Sequence, residues 1–341
     1  MKNKTTTAAL SVLILSFLIS CVSAPASAAE SFSRIDQEVR NLPAERQRSI
    51  TELSTALENI AGSDREKTRA LYIWITDNIA YDTDSFFQGI SGPTDAEGTF
   101  RSRKSVCEGY AGLFLEIGTR LGLEVVKIHG YAKGWGYREG LDPGGTNHAW
   151  NAVRIDGKWH LFDATWGAGH VNGRDFIRDY SEFYFDTPPE EFVFTHFPEN
   201  SDFQLLSGPV SRRDFFRLPR LDGDDFGSGV DAEAVMDLVD SGKEFGMPVI
   251  YSTDFPAVLV EFPMVSELKA GRTYRIVIET EAPYALIKDG NGRTDTIAAR
   301  RGRFVIQRKY SPGKMGIFLA PLEARDMYSH SYGGFLAYEV R

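Results

Sequence analysis

Apolar residues recur at intervals of three and four from about Glu30 to Ala61. They are Ile35, Val39 and Leu42, then Ile50, Leu53, Leu57 and Ile60, with Pro43 interrupting. The spacing predicts helix on both sides of the proline. After Gly62, Ser63 or Asp64 can cap another helix over "REKTRALYIWITDNIAYD", where Leu71, Ile75 and Ile79 share one side with Trp74 beside them. Residues 82–104 are rich in Gly, Asp, Ser and Phe and read as a long loop. Helical spacing returns with Phe114, Ile117 and Leu121, which predicts a helix with Cys107 in its first turn and Gly122 at its end.

The period then changes to two. "LEVVKIHGYA" at 123–132 predicts a strand, and a Gly-rich loop leads to "NHAWNAVRI" and "KWHLFDATW", separated only by Asp156-Gly157. That dipeptide predicts a type I′ hairpin. With a two-residue turn Ile155 faces Lys158, and the same register sets Trp150 against Asp163 and His148 against Thr165 on one face. His148 and Asp163 become diagonal neighbours, about 7–8 Å apart at the backbone. Beyond Trp166 the chain is aromatic and irregular. "LDGDDFGSGVDAE" reads as an acidic linker, and from Pro248 onward short alternating runs such as "TYRIVIET" and "RFVIQRKY" predict a small β-sandwich.

Composition changes the picture mainly at the N-terminus. Lys2 and Lys4, the apolar run "AALSVLILSFLIS" and the small residues after it read as an export signal. Two processing sites compete: "LISC" resembles a bacterial lipobox with Cys21 as the lipidated residue, and "ASA" at 26–28 resembles an ordinary cleavage site. The lipobox reading predicts a membrane-anchored lipoprotein of a bacterial envelope; the other predicts a periplasmic or secreted protein. Either takes Cys21 out of the folded body and leaves Cys107 without a disulfide partner in its own chain. The formal net charge of -9 argues against nucleic acid as a partner.

A helix-start cysteine, a histidine 41 residues later and an aspartate 15 further on form a Cys-His-Asp order. At a helix N-terminus the unpaired N–H groups and the dipole favour thiolate. A thiolate can attack an amide carbonyl, an imidazole can share and return the proton, and a carboxylate can orient the ring.

"SVCEGYAGLF", "NHAWNAVRIDGKWHLFDATWGAG" and "RALYIWITDNIAYD" resemble the transglutaminase-like, papain-fold superfamily, and within it the kyphoscoliosis-peptidase-like branch. The likeness runs from Asp64 to Leu206. It includes "FYFDTPPEEFVFTHFPENSDFQLL", where Phe203 stands at a position commonly held by tryptophan in that branch. The resemblance implies an α+β core of helices on an antiparallel sheet, Cys107 as nucleophile, His148 as general base and acid, and Asp163 as orienting carboxylate. The Cys107 backbone N–H becomes one oxyanion donor, and no metal or cofactor is required. Trp150 and Trp166 are expected as cleft walls. The organisation expected is an export signal at 1–29, a transglutaminase-like domain at 30–210, a linker at 211–245 and a β-sandwich-like domain at 246–341.

Other candidates read more simply as structure. His129 and His160 are expected to be packed or hydrogen-bonded, and His170, His196 and His330 are scattered without zinc spacing. Residues 222–233 approach a calcium loop but carry Phe226 at its fifth position. The expectation is therefore an exported cysteine acyl-transfer enzyme acting on protein or peptide amides through a thioester, hydrolytic in preference to cross-linking. The alternative is a non-catalytic binding or scaffold lipoprotein, which would have no need of an activated thiol.

Overall fold

The computed structural model describes residues 27–89, 92–138, 140–242, 246–323 and 333–341. Cys21, the export signal up to residue 26 and His330 lie outside the described residues. Helices Ser27–Arg40, Ile50–Ile60 and Asp64–Asn78 follow the apolar spacing and bury Ile35, Leu53, Leu57, Leu71, Trp74 and Ile75 in one core. A capping box starts the third. The Ser63 hydroxyl accepts from the Glu66 N–H, and the Glu66 carboxylate accepts from the Ser63 N–H.

The stretch expected as a long loop holds two helices, Thr83–Gln88 and Ala96–Ser102. Asp82 and Asp95 cap them, each accepting from the backbone N–H three residues on. The polar residues that look like loop composition are helix starts.

The cysteine helix, Cys107–Arg120, buries Tyr110, Leu113, Phe114 and Ile117 against helix Asp64–Asn78 and the sheet. That sheet has five antiparallel strands in the spatial order Phe185–Thr187, Lys158–Phe162, His148–Ile155, Glu124–Ala132, His196–Pro198. The hairpin turn has both central residues at positive φ, 50° at Asp156 and 78° at Gly157, and pairs Ile155 with Lys158 through Asn151 with Phe162 as expected. Beyond Phe162 the expected register does not continue. Asp163 caps the short helix Ala164–Gly167, its carboxylate accepting from Thr165 and Trp166 N–H groups, so Trp150 never faces Asp163 across a ladder.

The segment expected as an acidic linker is folded. It forms helices Arg212–Phe215, Gly223–Gly227 and Ala232–Asp240, with Ser211, Asp222 and Asp231 as caps. Its Leu218, Leu221, Val230, Val235 and Val239 bury against Val193 and Phe194, with Ile250 and Phe262 alongside. Acidic capping residues masked an amphipathic helix. From Val249 to Val340 a six-stranded and a three-stranded sheet enclose a second core that includes Leu259, Ile276, Ile278, Ile287, Phe304 and Ile317.

Candidate active site

Cys107 is the first residue of its helix, half-buried and unbridged, and Val106 before it offers no side-chain cap. The first-turn N–H groups and the positive end of the helix dipole therefore face the thiol. His148 opens its strand and Asp163 follows the end of the neighbouring one. The imidazole Nε2 stands 2.7 Å from Asp163 Oδ2, and both side chains are buried. An ionised carboxylate only accepts, so His148 presents Nε2–H to it, and the Cys107 thiol interacts with the same ring.

Burial opposes charge on His148, but the Asp163 charge, its hydrogen bond and the Cys107 contact outweigh that and raise the imidazole to about 10. Burial likewise opposes the Asp163 carboxylate. The His148 charge and the hydrogen bonds from His148 and His196 win, holding the carboxyl well below its usual range. An imidazolium beside an ionised aspartate is the state in which a facing thiolate is stabilised.

His196, expected to be scattered, joins this site. Its Nε2 lies 3.1 Å from the same Asp163 oxygen and its side chain is wholly buried. Burial is the largest influence on it and lowers it to about 4, so the ring is neutral. His148, Asp163 and His196 are a possible metal-ligand group by proximity. The 2.7 and 3.1 Å separations are hydrogen-bond lengths, shorter than the roughly 3.3 Å between two ligands on a tetrahedral zinc.

A cleft of about 710 Å³ opens over His148, lined by Tyr81, Phe86, Trp135, Trp166 and Tyr184 among others. Trp166 is one of its lining residues. Trp150 is not among the residues lining that cleft: it is buried in the core and packs its ring against His148 at 5.9 Å. Of the remaining histidines, His129 Nε2 pairs with Glu108 at 2.9 Å and His160 Nδ1 with Asp186 at 2.6 Å.

The sequence model of the transglutaminase-like superfamily matches residues 51–164, a span that contains Cys107, His148 and Asp163. Residues 51–164 are a transglutaminase-like domain. The chain is 41% identical to mouse kyphoscoliosis peptidase over 169 residues, which is 49% of this chain and 26% of that protein. It is 32% identical to Hillarin of Drosophila melanogaster over 206 residues, 55% of this chain and 24% of that protein. The chain thus spans about a quarter of the length of these relatives. Among solved structures, a putative cysteine protease from Cytophaga hutchinsonii aligns at 23% identity and a TM-score of 0.28, covering 43% of this chain and 45% of that one. The transglutaminase-like domain carries its three polar site residues on the cysteine helix, the central strand and the cap of Ala164–Gly167.

Proposed function

We propose that this chain is an exported cysteine acyl-transfer enzyme that acts on protein or peptide amides. The observation that carries the reading is His148 held between the Cys107 thiol and the buried Asp163 carboxylate, 2.7 Å away. In the proposed reaction the thiolate adds to the amide carbonyl, with the Cys107 backbone N–H as one oxyanion donor. The C–N bond then breaks as the departing nitrogen takes the proton of the His148 imidazolium. Water next adds to the thioester carbonyl while His148 takes its proton, and the C–S bond breaks to release the acid and restore the thiolate–imidazolium pair.

Hydrolysis is preferred over capture by an amine because water is always at hand. The basic start, apolar run and "LISC" of the N-terminus support export and a lipid anchor at Cys21 in a bacterial envelope.

The test is the pH dependence of Cys107 alkylation by iodoacetamide in this protein and in His148→Ala. Fast labelling that persists to about pH 5–6 and disappears in the variant is expected. Slow labelling that rises only near pH 8–9 in both would replace the enzyme with a binding or scaffold protein. With an activated thiol, peptide substrates offered with and without amine donors separate acid products from cross-linked ones by mass.

A further inference from the structure

We infer that His196 is a positioning residue for this site, a neutral imidazole whose Nε2–H shares Asp163 Oδ2 with His148. The inference rests on the acyl-transfer reading and deepens it.

Asp163 is wholly buried, so its carboxylate takes its hydrogen bonds from fixed protein donors. Oδ1 accepts from the N–H groups of Thr165 at 2.8 Å and Trp166 at 3.1 Å. Oδ2 accepts from His148 at 2.7 Å and His196 at 3.1 Å. Two donors on each oxygen leave the carboxylate no freedom to rotate.

The tautomer of His196 follows from its two partners. Nε2 faces an acceptor and must carry hydrogen. Nδ1 lies 2.8 Å from Thr195 Oγ1, whose hydroxyl also has the Phe192 carbonyl at 3.3 Å; as the bare nitrogen of a neutral ring Nδ1 accepts from that hydroxyl at the shorter of its two contacts. The ring itself is clamped. Phe192 stacks on it at 4.0 Å and 8°, with Trp166 at 4.6 Å and Trp150 at 5.1 Å. The titratable or charged groups acting on it or packed against it are Asp163, His148, Tyr184 and Arg220.

The consequence is electrostatic as well as geometric. The His196 N–H dipole spreads the basicity of Oδ2 over two donors and sets its positive end beside the His148 ring. The hold on the His148 proton is weaker than a single-donor pair would give, which eases transfer to a leaving nitrogen.

The test combines ¹⁵N-imidazole NMR of the histidine-labelled protein with the alkylation profile. In the unaltered protein His196 should read as the neutral Nε2–H tautomer from about pH 5.5 to 9. His196→Phe keeps the stacked ring and removes the donor. The His148 titration should move up by about half a unit or more, and the Cys107 alkylation rate at pH 7 should rise by up to about 3-fold, since a more firmly held imidazolium stabilises the facing thiolate. His196→Gln, whose amide can donate, should recover most of both. An Nδ1–H tautomer, a His196 that titrates near its ordinary value, or a His196→Phe protein unchanged in both readouts would overturn the inference.

If His196→Phe does not fold, Thr195→Val carries the test. Because Asp163 still faces Nε2, this variant should keep His196 in the neutral Nε2–H tautomer, and an Nδ1–H tautomer or a mixture of the two overturns the inference. An unactivated thiol in the unaltered protein overturns the acyl-transfer reading and this inference together. An activated thiol with a silent His196→Phe overturns this inference alone.

Discussion

Asp163 has no proton to give while its carboxyl is held ionised, and that decides which way His148 carries its own. Replacing it by asparagine keeps the shape and the Oδ1 acceptor for the Thr165 and Trp166 N–H groups. The amide that replaces Oδ2 donates instead of accepting, so Nε2 of His148 must become the bare nitrogen and its hydrogen moves to Nδ1. The thiolate–imidazolium pair is then lost at its source. Asp163→Asn is expected to lower the alkylation rate of Cys107 at pH 6 by roughly 10²-fold or more. Near-ultraviolet circular dichroism should show tertiary structure retained, and a rate within about threefold of the unaltered protein would remove Asp163 from its orienting role.

The cysteine helix can reach the site only because its first turn has a glycine at Gly109. A Cβ there would stand 2.1 Å from Ser105 Oγ and 2.4 Å from Thr99 Oγ1. Gly109→Ala should therefore cost about 1–3 kcal/mol in denaturant unfolding despite the better helix propensity of alanine. It should also slow Cys107 labelling, since the helix start must shift to relieve the overlap. A gain in stability with unchanged labelling would mean that the first turn has room the structure does not show. Such close approaches are invisible in sequence, whereas the hairpin was legible because Asp156-Gly157 sets the register locally. That register failed only at Asp163, where a side chain capping its own helix competes with the ladder for the backbone. The same competition hid the helices begun by Asp82, Asp95 and Asp231, whose caps resemble loop residues. His196 escaped notice for a different reason. It lies 33 residues beyond Asp163 on a strand of three residues, and its partner Ala132 is fixed by sheet order alone.

Across the whole molecule, buried charges tie distant segments together and set how stability depends on pH. Arg69, 4% exposed, grips Asp36 through Nε and a terminal nitrogen at 2.8 and 2.7 Å and Glu182 at 2.6 and 2.9 Å. It thereby joins helix Ser27–Arg40 to the edge of the five-stranded sheet. Arg69→Met should lose on the order of 3 kcal/mol in denaturant unfolding, and Arg69→Met with Asp36→Leu should regain part of it, because the larger cost is the carboxylate left unpaired. The histidines of the site act in opposite directions around their common ordinary value of 6.5. His196 is lowered to about 4 in the folded protein, so between about 4 and 6.5 the unfolded chain takes up a proton that the folded chain refuses. Stability must fall as pH drops through that window, by on the order of 3 kcal/mol. His148 is raised to about 10, so its contribution is complete below 6.5 and is lost as pH rises toward about 10. Asp163, held ionised, adds stability above the ordinary carboxyl range and gives it up only in stronger acid. The two slopes meet, and the unfolding free energy should peak near pH 6.5 and decline on both sides. His196→Phe should flatten the acid slope, and His148→Ala the alkaline one. Urea unfolding measured from pH 4 to 9 checks this, and a profile level from pH 5 to 8 in the unaltered protein would mean that neither ring is held in the protonation state its neighbours impose.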